Sequence, residues 1–600
     1  MNVGVRRRTV RGSNREMKRR GLTMKRRGTL LAATLGLGLV AIAASPAMAG
    51  QGTTLQPLAV SHQQITGSGS SWSSNAVNQW IADVTSSGLQ VVFTPTGSAT
   101  GRKDFTNRTT DFGVSDIGYQ GSDKVTGDAD SPCQNPADFV NGVPTGPSCR
   151  QFAYLPIVAG GTAFPYQLFV AGKQVKNLRL SGATLAKIFT NQITNWNDPA
   201  ITADNNGHQF PAIAIIPVVH AEGSGSTAQF TRFLNKMYPN IWRPFLGQDA
   251  DTEYYPRKGQ AIAQSGSDQV INFLTSKAAN GAIGYDEYSY ALAKQYPVVK
   301  LQNSAGYFTL PNQYNVAVAL TQARICGIDV KPSAGDRYCS GNPAKPESSP
   351  QYLLQNLDNV YSYSDPRTYP MSSYSYMLIP TAANDVRMTT PKRQTLADYL
   401  YYSICQGQGE MGQIGYSPLP VNLVQASFSQ TAKLKQADPN VDLSKRDVTT
   451  CNNPTFVKGN PKRNYLAEIA PQPLPCDKAG AGPCVPGQTA PTPTPSHSGG
   501  TGGGTNTGTG GGTNTGTGGG VIGVPGTGGD TNGTGGQVGN GGGDPAVNVD
   551  AQGAITNVAA YREPDIAGSL APVVVLELIA LVALPPTVYF LWIRRRKSAA

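Results

Sequence analysis

Histidine is nearly missing from this chain, with four residues in 600. So few imidazoles leave little for a Ser–His system or a His-rich metal site. The sequence contains no G-x-S-x-G elbow, no H-E-x-x-H, no P-loop lysine motif and no C-x-x-C, so the familiar hydrolytic, zinc, nucleotide and redox signatures do not occur. A phosphatase would need a nucleophile–base pair, and none is visible. No enzymatic activity, cofactor or metal is expected. No LPxTG-type sorting motif precedes the C-terminal apolar run, and no cysteine follows the N-terminal one, so neither a sortase substrate nor a lipoprotein is indicated.

What is present at the two ends concerns targeting. Residues 1–49 read as a signal peptide: a basic stretch from Arg6 to Arg27, an apolar run from Leu30 to Ala44, and the small-x-small site Ala47-Met48-Ala49. Met17 and Met24 are alternative starts. Near the other end, Ala571 to Ile593 would extend about 35 Å as a helix, enough for a hydrocarbon core of roughly 30 Å. Arg594-Arg595-Arg596-Lys597 follow at once, so residues 594–600 are expected in the cytoplasm and the remainder outside. The expected localisation is the cell membrane, single-pass, with an extracellular head. The formal charge of +12 belongs to these ends. The rest is near neutral, which removes the main support for nucleic-acid binding.

Eight cysteines fall as four pairs of neighbours, Cys133/Cys149, Cys326/Cys339, Cys405/Cys451 and Cys476/Cys484. An even number in an exported chain indicates disulfides, and local pairing is one of 105 connectivities.

Residues 62 to about 435 alternate strand-like runs (Leu89–Thr94, Ala212–Val219) with helical faces. Those faces are Val77/Trp80/Ile81/Val84, Phe230/Phe233/Leu234/Met237, Val270/Ile271/Leu274 and Leu396/Tyr399/Leu400/Ile404. The alternation predicts α/β layers with largely parallel sheets, in two domains rather than one. Residues 302–365 are turn-rich and read as an insertion or lid, and 436–489 as a Pro/Cys-rich extension. Residues 490–545 are a Gly/Thr-rich flexible linker, whose r.m.s. span is about 40 Å. The whole reads as a head, a stalk and an anchor.

Three Gly/Ser/Thr-rich turns precede helical patterns: Gly67–Ser71, Gly97–Gly101 and Gly223–Thr227. Such turns offer close backbone N–H groups, hydroxyl donors and a helix N-terminus, which together suit a tetrahedral oxyanion. Any one of them alone is more commonly an ordinary N-cap. A fourth segment, Asp111-Phe-Gly-Val-Ser-Asp116, adds a carboxylate.

The order of Gly67-Ser-Gly-Ser-Ser-Trp72, Gly97-Ser98, Asp111–Asp116, Glu222-Gly-Ser-Gly-Ser226 and Gly281-Ala-Ile-Gly-Tyr285 resembles that of the periplasmic-type phosphate-binding proteins, which feed ABC phosphate importers. Tyr369-Pro-Met-Ser-Ser-Tyr and Gly415-Tyr-Ser-Pro-Leu-Pro420 resemble the family's returning segment. The resemblance implies an α/β, two-lobed hinged clamp of the type II periplasmic-binding-protein kind. One lobe would be 62–155 plus 366–435, the other 156–301. It also implies inorganic phosphate as ligand and an ABC permease as partner.

Carried over by position, Ser71, the backbone N–H of Trp72, Ser98, Ser224, Gly225 and Ser226 would be donors. Asp116 would accept the hydrogen of a protonated phosphate and repel sulfate. His220 stands where the family has arginine. Three readings follow: weaker, acid-favoured binding; a different ligand; or, ranked first, a charge supplied by Arg102 at the start of the helix after Gly101. On that ranking, Arg102→Ala should cost more phosphate affinity than His220→Ala. The alternative function is a surface interaction or structural protein whose phosphate-type ligand is altered or lost.

Overall fold

Two long strands, Phe152–Ala163 and Ser372–Pro380, are buried almost throughout and pair antiparallel along the whole of the shorter one. Exposed and buried residues do not alternate along them because both faces of the sheet are covered, so even Ser373 and Ser375 are buried. The ladder shifts register between Ser375 and Tyr376, opposite Pro156. Proline has no N–H to give a central ladder, so the chain takes an irregular step there.

The structure is a computed structural model and describes residues 61–484, apart from 335, 337–338, 458–459 and 461–462. The expected signal peptide, linker, membrane span and basic tail lie outside the described residues. Among the described residues no helix is long and apolar enough to cross a membrane.

The long pair belongs to a six-stranded sheet. Its order is Asp286–Glu287, Phe152–Ala163, Ser372–Pro380, Phe112–Ser115, Ile65–Gly69, Val91–Thr94. Ile65–Gly69 pairs parallel with both of its neighbours, whereas the three remaining pairings are antiparallel. The expectation of largely parallel sheets is therefore corrected for this layer. The chain leaves along Phe152–Ala163 and returns beside it along Ser372–Pro380, and neighbours that run out and back must be antiparallel. The expected boundary at 155/156 falls inside the first of these strands.

Two smaller three-stranded sheets lie beyond. Ile262–Gln264, Ile216–His220 and Ala282–Gly284 form one, all parallel. Arg179–Leu180, Lys300–Gln302 and Phe308–Thr309 form the other.

The helical faces read from the sequence are the buried ones, except that Ile81 and Met237 are only half-buried. Val77, Trp80 and Val84 are buried on the Ser74–Thr85 helix, and Phe230, Phe233 and Leu234 on Gly225–Met237. Val270, Ile271 and Leu274 line Gly266–Leu274; Leu396, Tyr399, Leu400 and Ile404 line Thr390–Ile404. All four neighbouring cysteine pairs are disulfides.

The 302–365 stretch contributes strand Phe308–Thr309, the buried helix Gln313–Leu320 and the strand pair Arg324–Ile325/Gln355–Asn356. In the 436–489 extension, Leu466, Ala467 and Ala470 pack on Ala317 and Val318. Further on, Asp477 is buried between Arg179 and Lys300, at 2.9 Å from each.

The parallel strands decide where polar groups gather. Ser70, Ser98 and Asp116 all lie beyond the carboxyl ends of Ile65–Gly69, Val91–Thr94 and Phe112–Ser115. Glu222–Ser226, Ser267 and Asp286 follow the carboxyl ends of the small parallel sheet in the same way. Crevices outside such ends are where open α/β sheets hold ligands, and here the two sets of ends meet. Ala99 N donates to Gly223 O at 3.1 Å across the junction.

Candidate functional site

Asp116 is the centre of the large-sheet half. Its Oδ1 accepts from Ser375 Oγ at 2.5 Å and Ser70 Oγ at 2.8 Å. Oδ2 accepts from Ser70 Oγ at 2.8 Å and Ser98 Oγ at 3.0 Å. All four residues are buried. Burial pushes this carboxyl above the ordinary carboxylate range, while the hydroxyls of Ser375, Ser70 and Ser98 and the charge of Arg102 oppose the rise.

The small-sheet half closes directly onto this group. Gly225 opens the Gly225–Met237 helix, and a Cβ there would stand 2.3 Å from Asp116 Oδ2 and 2.6 Å from Ser98 Oγ. Only a residue without a side chain lets the helix N-terminus, with its unpaired N–H groups and positive dipole end, come this close to a carboxylate. Gln229 Nε2, one turn on, donates to the Asp116 carbonyl at 2.9 Å.

Ser224 caps the helix, accepting from Thr227 N at 3.3 Å, and its Oγ lies 2.9 Å from Ser226 Oγ. Both are buried. Gly97, at φ +91, turns the chain into the Ser98–Thr106 helix under Glu222, whose Cγ would be 2.7 Å from a Cβ added there.

Ser71 joins the same junction. Its Oγ accepts from Ser267 N at 3.2 Å and Ser267 Oγ at 3.0 Å, and Tyr290 Oη donates to its carbonyl. Trp72 is a buried wall: its Nε1 donates to Thr162 Oγ1 at 3.2 Å, and its ring meets Tyr416 edge-on.

His220 is buried at the end of its strand with Nδ1 2.8 Å from Glu222 Oε1. Its Nε2 has no hydrogen-bond partner among the described residues. Burial favours the neutral ring, but the hydrogen bond and charge of Glu222, with Asp286 behind, hold the imidazole above its ordinary value. Burial likewise opposes ionisation of Glu222, which His220 and the Gly266 N–H at 2.9 Å overcome, holding it low. Asp286 is pushed up to about 7, by burial first and against the opposing charge of His220.

Arg102 is where expectation and structure part. Its guanidinium is fully buried and donates to Asp130 at 2.8 and 2.9 Å, to Glu253 at 2.8 and 2.9 Å and to Ser115 Oγ at 2.8 Å. Two carboxylates answer its one charge. Arg102 as the cation that replaces the family's arginine is therefore corrected: its fork is committed to neighbours. Glu253 is pushed up to about 7, by burial first and by Asp130 and Asp123, against the pull of Arg102.

The fold thus gathers Ser71, Ser98, Asp116, Ser224, Gly225 and Ser226 at one junction, with His220 joined to it through Glu222, and turns Arg102 aside. Sequence reading missed Ser70, Ser267 and Ser375. Ser70 lies within a turn it singled out; Ser375 follows the Tyr369–Tyr374 motif by one residue but is 259 positions from Asp116.

The family model described as PBP superfamily domain matches residues 45–406, and the chain belongs to that family. Among characterised relatives, phosphate-binding protein PstS2 of Mycobacterium bovis is 26% identical over 360 residues, covering 60% of this chain and 84% of the relative. Phosphate-binding protein PstS of Pasteurella multocida is 27% identical over 383 residues, covering 63% and 92%. The solved structure of a phosphate-binding protein from Stenotrophomonas maltophilia aligns with a TM-score of 0.42 and 16% identity, over 61% of this chain and 94% of that one.

Proposed function

We propose that this chain is an extracytoplasmic, membrane-anchored phosphate-binding protein that captures inorganic phosphate for an ABC importer. In this reading the large-sheet and small-sheet halves are lobes of a hinged clamp, and the strands Phe152–Ala163 and Ser372–Pro380 are the crossovers about which it closes. Ser71, Trp72, Ser98, Ser224, Gly225 and Ser226 supply donors, and Asp116 accepts the hydrogen of a protonated phosphate. The reading rests above all on one observation: a buried carboxylate, ringed by hydroxyls, directly faces a glycine helix start from the other half. The names of the relatives support it, as do the sequence's leader, stalk and apolar C-terminal run.

A second reading is favoured by the fate of the cations. Arg102 is answered by two carboxylates and His220 is paired with Glu222, so neither offers the anion an unshared positive charge. That suits a surface-displayed interaction protein whose ligand is altered or lost. Calorimetry on the purified full-length protein separates the two. The transport reading expects saturable phosphate binding without competition from sulfate; absence of any small-oxyanion binding would leave the surface reading.

A further inference from the structure

The two oxygens of Asp116 are treated differently. Oδ1 is held within the large-sheet half by Ser375 and Ser70. Oδ2 is the oxygen that lies against Gly225, and of its two donors Ser98 stands at the junction itself, also within reach of Gly225. A hydroxyl has one hydrogen, so Ser70 is shared between the two oxygens at 2.8 Å each, while Ser375 holds Oδ1 from behind and Ser98 meets Oδ2 on the side that faces the other half.

We infer that Ser375 and Ser70 are positioning residues for ligand selectivity: their hydroxyls fix the Asp116 carboxylate as an acceptor-only group with Oδ2 presented to the anion. The site then takes an oxyanion that bears a proton and refuses one that bears none. This rests on the phosphate-binding reading above. The physical reason is that hydroxyl donation to a charged oxygen favours the ionised form, while burial opposes it. Were Asp116 to hold a proton, it would become a donor as well and would accept a fully ionised sulfate.

Ser375, paired with Val158, stands just before the irregular step in the ladder, where the partner strand passes from Val158 to Pro156 against Tyr376. The charged and titratable groups around Asp116 are Arg102 from the Ser98–Thr106 helix, with Asp130 and Glu253 upon it, and Tyr376 from the Ser372–Pro380 strand. Arg232, on the Gly225–Met237 helix, acts on Tyr376 and lies 3.9 Å from Asp358. Glu253, pushed up to about 7 by burial first, offsets the fixed charge of Arg102 to a degree that changes with pH. That background is common to the native chain and a Ser375 variant, so it cancels in their difference.

The test is calorimetry of the full-length protein with phosphate and with sulfate between about pH 5 and 8, for native, Ser375→Ala, Ser375→Thr and Ser70→Ala. In Ser375→Ala, sulfate competition should begin roughly one pH unit higher than in the native chain, with phosphate affinity at the alkaline end changed less than about tenfold. Ser375→Thr keeps the hydroxyl and should restore the native profile. Ser70→Ala, which removes a donor shared by both oxygens, should shift it at least as far.

An unshifted profile, or an even loss of both anions at every pH, overturns the inference. If Ser375→Ala does not fold, Ser70→Ala is read the same way. If the native chain binds no phosphate, the phosphate reading falls. The positioning role is then judged by carbon-13 titration of the Asp116 carboxyl: an upward shift in either alanine variant sustains it, and none refutes it.

Discussion

The two halves of the candidate site use one local device, a turn after a parallel strand that runs into a helix, yet they commit their polar groups in opposite ways. In the large-sheet half the hydroxyls of Ser70, Ser98 and Ser375 all turn to Asp116. In the small-sheet half Ser224 caps its helix, and His220 leaves Nε2 without a partner among the described residues. On the phosphate-binding reading, the difference teaches that one half is a preset acceptor, whereas the other would be a donor set beside a group that titrates.

Closing Gly225 to the acceptor half is the most severe way to break that pairing. Gly225→Val would place carbon within 2.3 Å of Asp116 Oδ2. Phosphate affinity should fall by about 100-fold or more, since overpacking of this kind costs on the order of 3 kcal/mol. A loss under about tenfold in calorimetry would mean that the halves do not need this contact.

Next comes Arg102, which sharpens the comparison by testing stability rather than binding. Arg102→Met strands Asp130 and Glu253, and urea unfolding should show a loss of about 3–5 kcal/mol. Among folded variants, His220→Ala should then cost more phosphate affinity than Arg102→Met, the reverse of the ranking drawn from sequence.

His220 supplies a smaller, pH-dependent effect. An imidazolium favours an anion, so phosphate affinity should fall as pH rises through the raised value of His220, by roughly tenfold, and His220→Gln should flatten the curve. The stability terms follow the same signs. His220 contributes fully below its ordinary value, and that contribution is lost as pH rises through the raised one. Glu222 contributes above its ordinary value, and that contribution is lost as pH falls through its lowered one. The pair therefore stabilises most in the window between the two.

Removing the Cys476–Cys484 bridge touches neither half of the site. The double serine variant should lose at most about 2–3 kcal/mol of stability, with phosphate affinity unchanged within about twofold by the same calorimetry.

The helix faces, the four disulfides and the turns that meet at the junction were legible because each is written locally. A 3.6-residue apolar period names its own buried side, and a Gly/Ser turn names its own helix start. Ser375 was illegible because its meaning comes from an antiparallel crossover that sets it beside a residue 259 positions away. Arg102 was misread for a related reason. A basic residue early in a helix announces a charge, but whether carboxylates from distant loops have already claimed it is decided by packing. The parallel expectation failed at the return strand, since an α/β alternation does not say where the chain doubles back.

The buried knot of Asp477 with Arg179 and Lys300 has a mechanical consequence. Whatever tension reaches residue 484 from its carboxyl side is delivered first to the sheet of Arg179–Leu180 and Lys300–Gln302. The Cys405–Cys451 bridge grips the same extension farther upstream, at the end of the Thr390–Ile404 helix. The extension is thus moored at both of these places and also between them, where Leu466, Ala467 and Ala470 pack on Ala317 and Val318, and a pull would load the inner contacts only after the outer mooring had yielded.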